Sequence, residues 1–572
     1  MLSLNLSGSN MKWLVTAGCM LLILLALSVK GMAGQGALRP EASISGANSY
    51  YVCGCASDAD GDCQAGDDNG AGTLNDPWET YAQARQTFGT LAAGESILFC
   101  EGGAWELTDN DTRWVNGNCQ ADNRCLVGSY TPTWASGDEA RPIITQTIDG
   151  NLFRLEDGGD AEHEEGYIIE NLDLRSLIST RSGIFLYNDI DDVEIRNVNI
   201  QGFRLGVQLG NSNPCSADPE CDGRNERITL RDSTILDNTS QGWLGASNGS
   251  QILNNYFEGN GDANQFDHNI YISGAAGEQT HGMRIIGNQL YRSAQGNTNN
   301  CDGVSLVVHG VHDDLIIEGN EIWEDAGTAN GGCWGIAVDN GYSDEPEAFT
   351  NVIIRNNVVR NVGNLGIGVG ACADCLIENN IIINEQNYSA TGIAAPDRAL
   401  LAGDLPQDNI TIRNNSIWLN AAGGRGILVN DMGDNHIVVS NAIYYAGTND
   451  NFDCFSVNLP TTAFDAFNYN LCYYPNASGA DWSSQNSALN DWQTNTGFDL
   501  NSWHADPGFT NPAGGDFTAV SNSATIVDNG HPTLSSAQDI NGGFRTPPSD
   551  IGAYEWDLLL FTDYIYLPTI LR

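Results

Sequence analysis

Apolar positions recur through the middle of the chain in one short pattern. It opens on an aliphatic residue, places a small polar residue, usually Asn, third, and closes on a second apolar residue. The copies read IENLDL from Ile169, IRNVNI from Ile195, LRDSTI from Leu230, ILNNYF from Ile252 and IIGNQL from Ile285. They continue as IEGNEI from Ile317, IRNNVV from Ile354, IENNII from Ile377, IRNNSI from Ile412 and VVSNAI from Val438. Neighbouring copies lie 22 to 37 residues apart, so each is one supersecondary unit with loops of variable length inserted. A single unit of this kind cannot bury its own apolar residues. The units must stack into one continuous core, which predicts a parallel β-solenoid.

A second pattern alternates with the first: Gly, aliphatic, any residue, aliphatic. It starts at Gly183, Gly206, Gly303, Gly335, Gly366 and Gly426, with Asn269 in the glycine's place at one coil. Each copy predicts a short strand with alternate side chains pointing inward, entered through a residue that tolerates positive φ. Stacked coils lie ~4.8 Å apart, so equivalent positions become neighbours. The fourth residue of the first pattern then gives an internal amide ladder from Asn255 to Asn441. The second gives an outward charge ladder, Glu318, Arg355, Glu378 and Arg413. Cys301 and Cys333, each two residues before a strand glycine, fall within bonding distance of one another.

Composition sets the compartment. Residues 1–33 read as a signal peptide, with Lys12, an apolar run from Leu21 to Leu27 and a small-residue exit near Ala33; an uncleaved N-terminal anchor is the rival reading. Both lysines lie in this leader, which leaves 22 arginines against 72 acidic residues. Such a surface repels nucleic acid and anionic membranes, and it fits either a bridging cation or a salty habitat. The remaining 14 cysteines, an even number, point to disulfides in a secreted or cell-surface protein, with no stable membrane insertion once the leader is removed. Proximity pairs Cys119 with Cys125, Cys215 with Cys221, Cys372 with Cys375 and Cys454 with Cys472. It leaves Cys53, Cys55, Cys63 and Cys100 unassigned.

The stacked units from Asn151 to Gly447 resemble the right-handed parallel β-helix of the pectate lyase superfamily. The entry segment, YYVCGCASDADGDCQAGDDNGAGTLNDPWETYAQA with LAAGESILFCEGGAW, is similar to the N-terminal region of secreted β-helix proteins. GGDFTAVSNSATIVDNG with DINGGFRTPPSDIGAYEW resembles their closing segment. The resemblance implies an all-β right-handed parallel β-helix (solenoid) of about ten or more coils, with an N-terminal cap and a C-terminal closing segment. It implies an extracellular polysaccharide as partner, across the face of successive coils. The implied divisions are a disulfide-rich cap and first coils over 34–150, repeats over 151–450, irregular late coils and closing segment over 451–556, and an apolar tail over 557–572. Members that abstract a proton with Lys are excluded. An arginine base leaves Arg175, Arg181, Arg204, Arg284, Arg292 and Arg360 open. The aspartate motifs of polygalacturonases are absent, His281-Gly282 and His309-Gly310 being fragments, and Asp267-His268-Asn269 only distantly resembles the epimerase motif.

Aligning the strand glycines puts His268, Asp302 and Trp334 in one column, with Asp267 and Tyr271 beside His268. His268 and Asp302 make a candidate general base, Asp267 its neighbouring carboxylate and Tyr271 the acid. Trp334, Ser305 and His309 are candidate substrate-binding residues; the plain alternative is that His268 caps Asp302 at a coil corner. Asp58, Asp60, Asp62, Asp67 and Asp68 alternate around a glycine like part of a calcium loop without its closing Glu, so calcium is the candidate cofactor and a solvated insertion the alternative. Two functions follow: a lyase, glycoside hydrolase or epimerase acting along the solenoid groove, or a non-catalytic surface, adhesion or glycan-binding solenoid.

Overall fold

The computed structural model describes residues 48–556 apart from 108–109, 111, 158–163, 212–221, 263, 275–277, 297–299, 343–344, 396–399 and 430–431. The leader, the pair Cys215 and Cys221 and the tail after Trp556 lie outside the described residues. Strands of two to six residues stack into three long parallel sheets. Sheet 1 runs from Ser49–Val52 to Phe464–Asn468, sheet 2 from Arg113–Trp114 to Asp481–Ser483, and sheet 3 from Ala104–Glu106 to Leu471–Tyr473. The chain passes from sheet 2 to sheet 1 to sheet 3 and returns one coil further on, which makes a parallel β-helix. The first pattern is the sheet 1 strand, a corner and the sheet 3 strand; the second is the sheet 2 strand.

The corner explains the preference for Asn. In all ten copies the third residue has a left-handed backbone, from Asn171 (φ 56°) and Asn197 (52°) through Gly287 (69°) and Gly319 (65°) to Asn414 (52°) and Ser440 (57°). Asn, Asp and Gly carry the least penalty there. The fourth residue points inward. Nδ2 of Asn255 donates to Oδ1 of Asn288 at 3.0 Å, and the same bond repeats through Asn320, Asn357, Asn380 and Asn415 to Asn441. Asn470 and the buried Asp499 extend this ladder to the C-terminal end.

The glycines of the second pattern serve a different purpose from the one expected. Those at 183, 206, 335, 366 and 426 lack a positive φ; they are small because the next coil is close. A Cβ on Gly206 would stand 2.4 Å from the carbonyl O of Gly242, and one on Gly366 2.6 Å from that of Gly392. The register also corrects the column. Ile270 pairs with Leu306 and Leu306 with Ile336, so Asn269 is followed by Ser305 and then Gly335. Gly303 lies two residues outside the column, and Gly242 and Gly392 belong in it.

On the outside, Arg355 pairs with Glu318 and Arg413 with Glu378, both at 2.8 Å. Six cysteine pairs are bonded among the described residues: 53–100, 55–63, 119–125, 301–333, 372–375 and 454–472. The Cα atoms of Cys301 and Cys333 are 5.4 Å apart, although the corrected register puts Cys301 four residues before its column position. Helix Tyr81–Phe88 packs Tyr81 and Phe88 onto Phe99, Trp114, Phe153 and Tyr167 in the first coils. Helix Leu489–Thr496 packs Trp492 onto Phe467 and Phe498 in the last.

The closing segment folds back along the flank of sheet 3. Its Phe509, Phe517, Ile526 and Ile551 cluster with Ile381, Ile383, Trp418 and Leu471 of that sheet. It is held by third-position side chains: Asn379 Nδ2 donates to the Gln538 carbonyl, Asn414 Nδ2 to that of Asp550, and Ser440 Oγ lies 2.9 Å from Ser535 Oγ.

Candidate functional site

Strand His268–Ser273 of sheet 2 sends Tyr271 and Ser273 outward, and the next strand, Leu306–His309, sends out His309 beside Ser273. The third strand, Trp334–Val338, ends at Asp339, which the register places beside His309. The chain then forms a loop through Asn340, Gly341 and Tyr342 that returns at Glu347. These elements bring five side chains together: Tyr271, His309, Asp339, Tyr342 and Glu347.

His309 is anchored through one nitrogen. Nδ1 lies 2.8 Å from the Asp339 carbonyl O, 3.3 Å from Glu347 Oε1 and 3.5 Å from Asp339 Oδ1. Burial pulls the imidazole's pKa down, but the bond to Glu347 and the charges of Asp339 and Glu347 outweigh it and leave it above the ordinary histidine value. Both carboxylates are fully buried behind the ring. The exposed Gly341 lies over Cε1, between the two ring nitrogens: a Cβ there would stand 2.2 Å from Cε1, 2.7 Å from Nε2 and 3.0 Å from Nδ1. A side chain there would collide with the imidazole; glycine lets the ring keep its place.

Two tyrosines flank the ring. Its centroid is 5.0 Å from that of Tyr342 and 5.9 Å from that of Tyr271, and the Tyr271 hydroxyl donates to that of Tyr342 at 3.4 Å. Burial raises both phenol pKa values, so both keep their protons at neutral pH. Glu347 also accepts the backbone N–H groups of Gly310 and Tyr342, at 2.6 and 2.7 Å. Asp404, from a later loop, accepts from the Asn340 amide and the Glu347 N–H, both at 2.9 Å, and so ties the two loops together.

The expected His268 and Asp302 pair does not form. With the column shifted by two residues, His268 stands beside Val304, and its Nδ1 lies 2.8 Å from the Val304 carbonyl. Burial, aided by the nearby His309, pushes its pKa down to about 4, so His268 is a neutral ring packed edge-on to Tyr271. Asp302 instead accepts the Asn330 amide. Asp267 accepts from Ser240 Oγ, and burial raises its pKa to about 6. Ser305 fills the inner column, where it receives the Asn269 amide, so it cannot meet a ligand. Trp334 lies one coil beyond Val304, with its indole N–H on the Gly331 carbonyl.

The arginine candidates stand apart from this cluster. Arg175, Arg181, Arg284 and Arg292 are ion-paired to aspartates, and Arg360 donates to the Ala513 carbonyl of the closing segment. Arg204 is exposed.

The five aspartates proposed for calcium do not converge. Asp68 accepts from Glu79 N, Thr80 N and Thr80 Oγ1, pinning the start of the first helix, and Asp67 accepts from Asn69. Asp58 and Asp62 are exposed, as is Gly61 between Asp60 and Asp62. Among the described residues, the one group of three metal-ligating side chains whose atoms lie within 4.8 Å of each other is Cys301, Glu324 and Cys333, and its two sulfurs are bonded together. The Asp58 to Asp68 set does not fit a cation.

No family model and no curated protein matches the chain. Solved structures similar to it include an alginate lyase from Paenibacillus sp., at 14% identity and a TM-score of 0.37, with 60% of this chain and 97% of that one covered. A GH136 lacto-N-biosidase from Eubacterium ramulus gives 12% and 0.43, with 68% of each chain covered. A pectate lyase gives 12% and 0.39, covering 90% and 98%. The likeness is one of fold. Function is argued from the residues.

Proposed function

We propose that the protein is an exported enzyme that transfers protons on an extracellular polysaccharide, with His309 as the acid–base group and the Tyr271–Tyr342 hydroxyl pair as its partner. One observation carries this reading: His309 is held through Nδ1 by two buried carboxylates, with the rings of Tyr271 and Tyr342 packed beside it. That is how an oriented general base is built. A hydrolase would need two carboxyl groups reaching the sugar, and Asp339 and Glu347 are buried behind the imidazole. The arrangement therefore favours proton abstraction, as in a lyase or epimerase, over hydrolysis. Six bonded cysteine pairs support an oxidising, extracellular setting.

Incubation of wild type and His309→Ala with a panel of pectate, alginate, xylan and chitosan tests this. Ultraviolet absorbance of unsaturated ends and reducing-sugar release are read together. Turnover lost in the folded variant supports the reading, and equal turnover removes it. The second reading, a non-catalytic glycan binder, draws on the flank of sheet 3. There Tyr291 stacks on Trp323 at 4.9 Å with Arg292 over the tyrosine ring. It predicts binding to the panel without products.

A further inference from the structure

The outer face of sheet 2 changes character at His309. On the N-terminal side, Phe185, Gln208, Leu244 and Tyr271 follow one another in register, one coil apart, and all are partly exposed. On the C-terminal side the same row continues as Val307, Ala337, Gly368 and Ala394, which lie on the outer face and are nonetheless buried. The loops leaving sheet 2 at this end are joined to each other. Asp404 holds Asn340, Glu347 and the Leu401 N–H, and Leu405 N donates to the Glu347 carbonyl.

The exposed side also carries an aromatic platform. Phe185 and Tyr187 stack at 5.4 Å and 26°, and the Phe185 ring lies so close over Gly210 that a Cβ there would stand 3.0 Å from it. Three coil steps separate Phe185 from Tyr271, or ~14 Å at the usual strand spacing. That leaves room for a few sugar residues between an aromatic stacking surface and the acid–base cluster. Phe266, 66% exposed on the loop leading into the Tyr271 strand, adds an apolar rim.

Resting on the reading of His309 above, we infer that this trough is blind. A glycan chain enters over Phe185 and Tyr187 and stops against Tyr342 and the Asp404-tied loops, so the site takes chain ends and the enzyme is exo-acting. Tyr342 then has a second role, as the wall that the terminal sugar meets. Steric closure on one side and stacking on the other define the ligand class: the terminal few residues of a linear polysaccharide, not an internal stretch of it.

The test follows product size over time on whichever panel polysaccharide wild type consumes, by size-exclusion chromatography and mass spectrometry. A single small product from the earliest sample, while the remaining polymer keeps its length and viscosity, is the expected result. An early ladder of mixed oligosaccharides with a fast fall in viscosity overturns the blind trough and leaves His309 catalysis standing. Absence of turnover on every polysaccharide overturns both. As a second measurement, Phe185→Ala is expected to raise KM for a tetrasaccharide by roughly five times more than for a disaccharide, because only the longer ligand reaches the platform. Equal increases would remove the platform from the binding path.

Discussion

Oε1 of Glu347 lies 3.3 Å from Nδ1 of His309, and Oε2 of the same carboxylate accepts the backbone N–H of Tyr342. One buried side chain thus sets both the charge of the imidazole and the position of the loop above it.

Glu347→Gln keeps an oxygen for hydrogen bonding and removes the charge. The His309 pKa is raised, with the bond to and charge of Glu347 among the causes, so it is expected to fall in this variant. The limb of the pH–rate profile governed by this histidine should move to more acid pH. The sign holds for stability as well. The stabilisation from charging His309 is complete below its unfolded value of about 6.5 and is lost as pH rises through the folded value, and the variant, which keeps only Asp339 beside the ring, should show less of that dependence. Titration of the imidazole by NMR reads the shift directly, and an unmoved pKa would count against the pair.

Gly341→Ala places a methyl group 2.2 Å from His309 Cε1 and 2.7 Å from Nε2 without requiring a left-handed backbone. The ring is anchored through Nδ1 and must shift to admit the methyl group, so stability should fall by about 1–3 kcal/mol. Activity should fall by about 10²-fold, as expected when a general acid–base group is displaced. A fully active variant would show that turnover does not depend on where the imidazole stands.

Gly366→Ala and Gly319→Asn separate the two reasons for small residues in the coil. The first sets a Cβ 2.6 Å from the Gly392 carbonyl and 2.9 Å from Ile382, and should cost about 1–3 kcal/mol by overpacking. The second meets open space at φ 65°, where sibling coils carry Asn, and should stay within about 0.5 kcal/mol of wild type. Chemical denaturation midpoints check both.

Asp499 ends the amide ladder fully buried, accepting the indole N–H groups of Trp482 at 3.2 Å and Trp492 at 3.0 Å. Burial lifts its pKa to about 7, against hydrogen bonds from Ser502, Asn470 and the two indoles. A raised carboxyl pKa stabilises the fold fully below about pH 4, and this contribution is lost as pH rises through about 7. Asp499→Asn should therefore flatten the stability decline between those values. Burial pushes His268 and His312 down to about 4, so they act in the opposite sense. Their contribution is present above about pH 6.5 and is lost as pH falls through about 4. Melting temperature against pH for the variant and wild type makes the comparison.

Much of the coil was legible because it repeats. The Asn255 to Asn441 ladder and the Glu318–Arg355 and Glu378–Arg413 pairs each follow from one short pattern stacked on itself. The same logic singles out Tyr271 as an acid beside His268 and His309 as a substrate-binding residue, and the two rings lie 5.9 Å apart. The position of Asp302 was misjudged because Gly303 imitates the column residue two positions early; matching the alternation of Leu306-Val-Val-His309 to Ile336-Ala-Val-Asp339 gives the true register. Tyr342, Glu347 and Asp404 were not seen. They sit in loops without periodicity, and what unites Glu347 with Asp404 is a hydrogen bond across 57 residues of sequence, which no local spacing encodes.

The closing segment clasps Asn379, Asn414 and Ser440 on three successive coils, so its own length is matched to their pitch. Gain or loss of a whole coil inside that stretch would throw the clasp out of step, while the same change before Arg360, which also meets the closing segment at Ala513, would leave it undisturbed. The molecule is thus divided into an end where coil number is gauged and an end where it is free to drift. Tyr271, His309 and Tyr342 stand at the ungauged end, where new loops can be tried without unfastening the fold.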